Sequence, residues 1–202
     1  MQASISHATP EDIPGLVELA ALTFPLACPP EVTPEDRAAF VAANLSAENF
    51  TGFLEDEKRL VLAARQDGRL VGYCLLVLVA PTDPEVLEAL DQGRALRPSA
   101  ELSKFYLHPD THGSGLAAQL MEAAAGAAAS VGARSLWLGV NKDNVRAQSF
   151  YRKSGFQASG RRPFQVGAHT FRDLIMVRLL ADLGSDAGSG SDTGTGTGFG
   201  GQ

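Results

Sequence analysis

Between Leu102 and Met121 the chain reads LSKFYLHPDTHGSGLAAQLM, and no other stretch narrows its fold as much. Leu102, Lys104 and Tyr106 alternate with Glu101, Ser103, Phe105 and Leu107, the period-two pattern of a strand, and Pro109 cannot extend that ladder. A helix follows over 115–131, so the two must be joined by a short turn that carries Gly113 and Gly115. Lacking a Cβ, these glycines let successive N–H groups point one way, into the unpaired N–H groups of the helix start. Such a nest is an anion seat, reinforced by about half a positive charge from the helix dipole, and a phosphate or pyrophosphate is its expected occupant.

The turn alone leaves the ligand open. HGSGLAA formally satisfies G-x-G-x-x-A, but a dinucleotide site expects an acid about 20 residues further on, where the chain has VGARSLWLGV over 131–140. A nucleotide-triphosphatase loop needs Gly-Lys-Ser/Thr, which the turn lacks. A tight turn that binds nothing is the plain alternative.

A second stretch, Leu136 to Phe156, reads LWLGVNKDNVRAQSFYRKSGF. Strand, H-G-S-G-L-A turn, alanine-rich helix, strand and N-x-x-A-x-x-x-Y-x-x-x-G-F together resemble the GNAT superfamily of acetyl-CoA-dependent N-acetyltransferases, over at least residues 60 to 180. The resemblance implies an α/β (α+β) fold, with a mixed, mostly antiparallel central sheet of about seven strands flanked by helices. It also implies acetyl-CoA as co-substrate. The family's turn, Gln/Arg-x-x-G-x-G/A, falls on His112, Gly115 and Ala117; His112 departs from it, although that position serves mainly through its backbone. By the same resemblance His112, Gly113, Ser114, Gly115, Leu116 and Ala117 cover the pyrophosphate. Phe105 and Leu107 offer backbone groups to the pantetheine arm where the sheet splays open, and Asn144 contacts the cofactor.

Acyl transfer from a thioester to an amine needs a neutral amine, a polarised carbonyl and a proton for the departing thiolate. Tyr151, whose phenol has an ordinary pKa near 10, is the expected proton donor to a thiolate of about 8.5. Seven residues separate it from Asn144, nearly two helical turns, so both face one side. Glu101 is the candidate base, directly or through water, because members of the family carry a carboxylate on this strand; related polyamine acetyltransferases have the acid two residues on, where Ser103 stands. The order of the C-terminal half, through GRRPFQVGAHTFRDLIM, resembles bacterial polyamine acetyltransferases related to the sporulation and protease-production regulator. A small cationic primary amine is then the expected acceptor, with the acidic runs Glu31 to Asp36 and Glu48 to Glu57 bordering its pocket. Protein α-amines or lysines, and an acyl-CoA sensor without turnover, are the rival readings.

Composition agrees with these expectations. With 17 Lys and Arg against 23 Asp and Glu, the net charge of −6 disfavours nucleic acid or an anionic membrane as partner. Two cysteines, Cys28 and Cys74, provide neither a disulfide framework nor a zinc site, and no metal is expected. The start, MQASISHATPED, lacks signal-peptide character and the longest apolar run, 70–80, is too short to span a bilayer, which predicts a cytoplasmic protein. A homodimer through the closing hairpin would be ordinary for the family.

Along the chain we expect one domain over 1–181. A strand at 3–8 leads to a helix capped by Thr9-Pro10-Glu11-Asp12 and running to Leu26, and the same cassette at Thr33-Pro34-Glu35-Asp36 opens a second. A short helix at 46–58 precedes a hairpin, 60–65 and 69–79, turned by Asp67-Gly68. Residues 81–98 read as a surface excursion with a turn of helix at 85–90. Strand 134–140 and helix 144–154, ended by Gly155, lead to a closing hairpin, 156–166 and 169–180, around Gly167-Ala168. Residues 182–202 form a Gly/Ser/Thr-rich tail with little to bury, expected to be flexible.

Overall fold

The computed structural model describes residues 3–167 and 169–180. In chain order the elements are β1 (Ala3–His7), α1 (Ile13–Ala27), α2 (Pro34–Asn44), α3 (Ala47–Glu55), β2 (Arg59–Gln66), β3 (Arg69–Val77), α4 (Pro84–Gln92), β4 (Ser99–Leu107), α5 (Leu116–Ser130), β5 (Ser135–Asn141), α6 (Val145–Lys153), β6 (Gln157–Val166) and β7 (His169–Leu179). The strands form one seven-stranded sheet in the order β1-β2-β3-β4-β5-β7-β6, antiparallel throughout except where β4 meets β5. This is the mixed α/β architecture that the sequence predicts. Among the described residues no helix is long and apolar enough to cross a membrane. Ala168 and the predicted tail lie outside the described residues.

Local chemistry explains the boundaries. Asp67 and Gly68 take φ of 50° and 82°, the left-handed pair of a type I′ turn, so β2 and β3 close as a tight hairpin. Thr33 Oγ1 accepts from Asp36 N–H at 3.1 Å and Ser46 Oγ from Asn49 N–H at 3.3 Å, which starts α2 and α3 where the cap residues stand.

Alternation along the strands sorts the side chains to two faces. Cys74, Leu76, Leu102, Leu136, Leu138 and Met176 pack under Leu120, Met121, Ala124 and Ala128 of α5. On the other face Val61, Tyr73 and Leu75 meet Leu16, Leu19, Phe24 and Phe50 of α1 and α3.

The segment expected to be a surface excursion is instead anchored. Asp83 Oδ1 accepts from Glu85 N–H at 2.8 Å and from Val86 N–H at 3.4 Å, capping α4. Val86, Ala89 and Leu90 are buried against Trp137, Ile175 and Val177. Gly160 allows the approach, since a Cβ there would collide with Ala89. Asp83-Pro84-Glu85 is a third copy of the acid-rich proline cassette that opens the two earlier helices, and it was the available signal.

Candidate active site

The site begins where the sheet comes apart. β4 and β5 pair in parallel only over Ser99–Glu101 and Ser135–Trp137, after which the strands diverge. Against β3, Leu76 pairs with Leu102 and Leu75 with Lys104, so Ser103 is an extra residue, a bulge that bends β4 away from β5 at that point. His108 N–H donates to Val71 O at 2.7 Å. Ladder alternation then turns Tyr106 and Lys104 toward β3 and leaves the N–H and C=O groups of Phe105 and Leu107 facing the gap.

Beyond β4 the turn divides its groups between itself and the groove. His112 N–H donates to Pro109 O at 3.1 Å and Ser114 N–H to Thr111 O at 3.2 Å. Ser114 Oγ donates to Thr111 O at 2.7 Å and accepts from Leu116 N–H at 3.2 Å. Among the described residues, the N–H groups of Gly113, Gly115 and Ala117 have no such partner. His112, Gly113, Gly115 and Ala117 line the groove, whereas Ser114 locks the turn and Leu116 is a core residue of α5. Gly113 and Gly115 both have φ of +80°, with open space where a Cβ would stand. Four of the six turn residues named from sequence therefore face the groove. Arg146 of α6 joins them and contributes a permanent positive charge.

α6 brings Asn144 and Tyr151 to the opposite wall. Asn144 Oδ1 accepts from Ala147 N–H at 3.0 Å, so its oxygen caps the helix and its amide nitrogen remains for the groove. Buried Gln148 fixes the β5–α6 loop by donating to Asn141 O at 3.1 Å and Lys142 O at 2.8 Å. At the other end Gly155, with φ of +86°, forms a Schellman cap: Gly155 N–H bonds Arg152 O and Phe156 N–H bonds Tyr151 O, both at 3.0 Å. The associated apolar contact is Tyr151 on Phe156, with ring centroids 5.9 Å apart, and Phe105 closes at 6.4 Å. The ring is thus fixed on two sides. Burial pushes its phenol well above the ordinary tyrosine pKa, so it stays protonated throughout the neutral range.

Through the gap the groove continues to the other face of the sheet, and its two halves share Phe105, Tyr106, Asn144, Ala147 and Tyr151. The far half is walled by Cys28, Phe164, Phe171, Arg162 and Asp173. Burial also raises the phenol of Tyr106, and Tyr151, Cys28 and Asp173 act in the same direction, which identifies all three as neighbours of Tyr106. Asp173 is 6% exposed. Among the described residues its Oδ1 has no hydrogen-bond partner, and burial pushes its pKa up to about 6 against the opposing pull of Arg162. Arg162 lies across β5 at Gly139, where a Cβ would meet Nη2 at 2.7 Å, and its guanidinium stands 5.3 Å over the Trp137 ring.

Glu101, the sequence-derived candidate for the base, is turned toward Arg162 Nη1 at 3.4 Å and is not among the residues lining the groove. Of the two acidic runs, Glu31 reaches the rim beside Asp143, while the acids over 48–57 do not line it. Asp173, Tyr106, Arg162 and Arg146 were missed from sequence. They sit on four different elements, and the one signal available was an acid placed between Phe171 and Ile175 in an otherwise apolar strand.

Residues 16–156 match the acetyltransferase (GNAT) family. N-acetyltransferases of Mycobacterium tuberculosis and Mycobacterium bovis, each described as uncharacterized, are 47% identical over 169 residues, spanning 84% of this chain and 98% of theirs. Among solved structures, PaiA N-acetyltransferase of Thermoplasma acidophilum, in complex with coenzyme A, superposes with a TM-score of 0.70 at 21% identity, covering 89% of this chain and 99% of that one. A ribosomal-protein-alanine N-acetyltransferase of Brucella melitensis gives 0.57 at 24% identity, covering 88% and 99%. At these identities the two structures speak for the fold.

Proposed function

The chain belongs to the acetyltransferase (GNAT) family, and from that premise we propose that it moves the acetyl group of acetyl-CoA to the primary amine of a small cationic, polyamine-like acceptor. The reading rests above all on one observation: a single groove runs through the split between β4 and β5, with the Tyr151 phenol between an anion cradle and a pocket containing Asp173. Free N–H groups of Gly113, Gly115 and Ala117 at the start of α5 fit a diphosphate, with Arg146 adding charge. The exposed edge of β4 at Phe105 and Leu107 fits an amide-bearing arm laid in as a pseudo-strand. This residue set suits coenzyme A, which would supply the activated thioester.

Tyr151 then donates a hydrogen bond to the sulfur as charge develops there, and passes its proton as the thiolate leaves. The far half is aromatic and bears Asp173, and Glu31 and Asp143 at its rim favour a cation. The test is thiol release from acetyl-CoA with a panel of polyamines, amino acids and basic peptides. A polyamine should give the highest kcat/KM, and Tyr151→Phe should lower kcat by a hundredfold or more with CoA affinity unchanged. Preference for a peptide would move the acceptor to a protein amine, and undiminished turnover by Tyr151→Phe would remove it as the acid.

A further inference from the structure

Glu101, Arg162 and Asp173 carry three charges, and the structure pairs two of them. Arg162 holds Glu101 at 3.4 Å and is backed by the Trp137 ring. Asp173 is opposite Asn141 on β5 and Arg162 on β6 in the ladder, yet its Oδ1 has no hydrogen-bond partner despite facing the pocket almost wholly buried. A carboxylate is costly in such surroundings unless a donor comes to it, and among the described residues none reaches Oδ1.

We propose that Asp173 anchors the ammonium group of the acceptor and takes the proton the amine must lose before it attacks. The proposal rests on the acetyltransferase reading above. With Glu101 and Arg162 cancelling, Asp173 leaves one net negative charge in the pocket, which a primary ammonium neutralises with up to three donors. Two protons leave the nitrogen in all. As the C–N bond forms and the C–S bond breaks, Tyr151 gives its proton to the sulfur and one of the two nitrogen protons replaces it on the phenol. The other passes to Asp173 and from there to solvent, so the products are the acetamide, CoA thiol and one released proton.

The titratable and charged groups that line the pocket with Asp173 are Arg162 from β6, Tyr106 from β4, Tyr151 from α6 and Cys28 after α1, with Glu101 behind Arg162. Burial raises the two phenols and the Cys28 thiol, so none of these three titrates between pH 5 and 7, whereas Asp173 at about 6 does.

Two measurements decide the matter. In protein labelled with carboxyl-13C aspartate, the Asp173 resonance, identified by its loss in Asp173→Asn, should titrate near pH 6. In saturating n-butylammonium its midpoint should fall by about one unit or more; an unchanged midpoint overturns the anchoring role. In steady-state assays Asp173→Asn should lose at least a hundredfold in kcat/KM for the amine and lose the acidic limb of the pH profile. Acetyl-CoA affinity should stay within threefold, and Asp173→Glu should recover part of the rate. A variant that keeps both the rate and the limb overturns the proton-accepting role. Wild-type protein that releases no thiol with any amine would defeat the acetyltransferase reading instead, and the resonance shift would still decide the anchoring.

Discussion

Replacing Gly115 by Val separates two roles of one glycine, and the fold supplies its own controls. Gly68, Gly113, Gly115 and Gly132 have φ of +82°, +80°, +80° and +88°, and each has open space where a Cβ would project. Substitution at any of them therefore meets the left-handed penalty, about 1–2 kcal/mol, without a steric clash. For a chain of 202 residues each kcal/mol lowers Tm by about 2–4 °C, so all four variants should melt about 2–8 °C below wild type. The second effect belongs to the groove alone. Gly113 and Gly115 line it, and their N–H groups are unengaged; Gly68 turns the β2–β3 hairpin and Gly132 follows α5. A valine side chain at Gly115 projects over the seat and deprives a phosphate of at least one charge-assisted hydrogen bond, about 1.5–3 kcal/mol, or roughly ten- to hundredfold in CoA affinity. Calorimetric titration with CoA on all four variants tests this. Weak binding by the Gly113 and Gly115 variants, with normal binding by the other two, is the expected pattern. If Gly115→Val binds CoA as tightly as Gly132→Val, the diphosphate does not sit on this turn.

Three further outcomes follow from the same coordinates. Tyr73 is fully buried and its hydroxyl has no partner, so Tyr73→Phe should stabilise the fold by about 1 kcal/mol in chemical denaturation, and a loss of stability would mean that the hydroxyl is satisfied. Gly139→Ala puts a methyl 2.7 Å from Arg162 Nη2 and should lift the guanidinium off Trp137, the chain's single tryptophan; a shifted emission spectrum and a higher KM for the amine are expected, and unchanged emission would show that Arg162 is not held there. Burial raises Asp173 from 3.8 to about 6, so the folded state binds its proton more tightly than the unfolded chain and stability declines as pH rises through that window, by about 3 kcal/mol in all. Asp173→Asn removes this decline, and the variant's Tm should gain on wild type by several degrees between pH 4 and 7; a constant difference would refute the raised pKa.

The wall of the groove that bears the glycine turn and Tyr151 was legible in the sequence because it is local. Residues 101–117 and 144–151 carry the strand, the glycine turn, the helix start and Tyr151 in continuous runs, and each owes its conformation to near neighbours such as Gly115 and the Schellman cap at Gly155. The far half of the groove was not legible, because it is assembled by the order of the sheet. Asp173 meets Arg162 because β6 and β7 form a hairpin, and meets Tyr106 because β7 lies beside β5, across the gap from β4. No periodicity in any one segment encodes those meetings. Glu101 follows the same rule: its position in β4 is readable, but its engagement by an arginine far along the chain is not. In α4 a nine-residue stripe among prolines declared itself only as a turn of helix at 85–90, although its cap repeats those of α1 and α2.

The charge pattern of the far pocket follows from that topology. Gly139 opens β5 for a flat guanidinium, Trp137 supports it from the strand, and Glu101 is on the last pair before β4 and β5 part. Arg162 is therefore held back at the closed end of the split. Asp173 stands further along, opposite Asn141, where β5 has already diverged from β4 and the groove is open toward Tyr151. Had Arg162 reached Asp173 as it reaches Glu101, the pocket would be neutral and closed to a cation by the desolvation of a satisfied pair. The split that opens the groove is also what leaves this carboxylate uncompensated beside Tyr151.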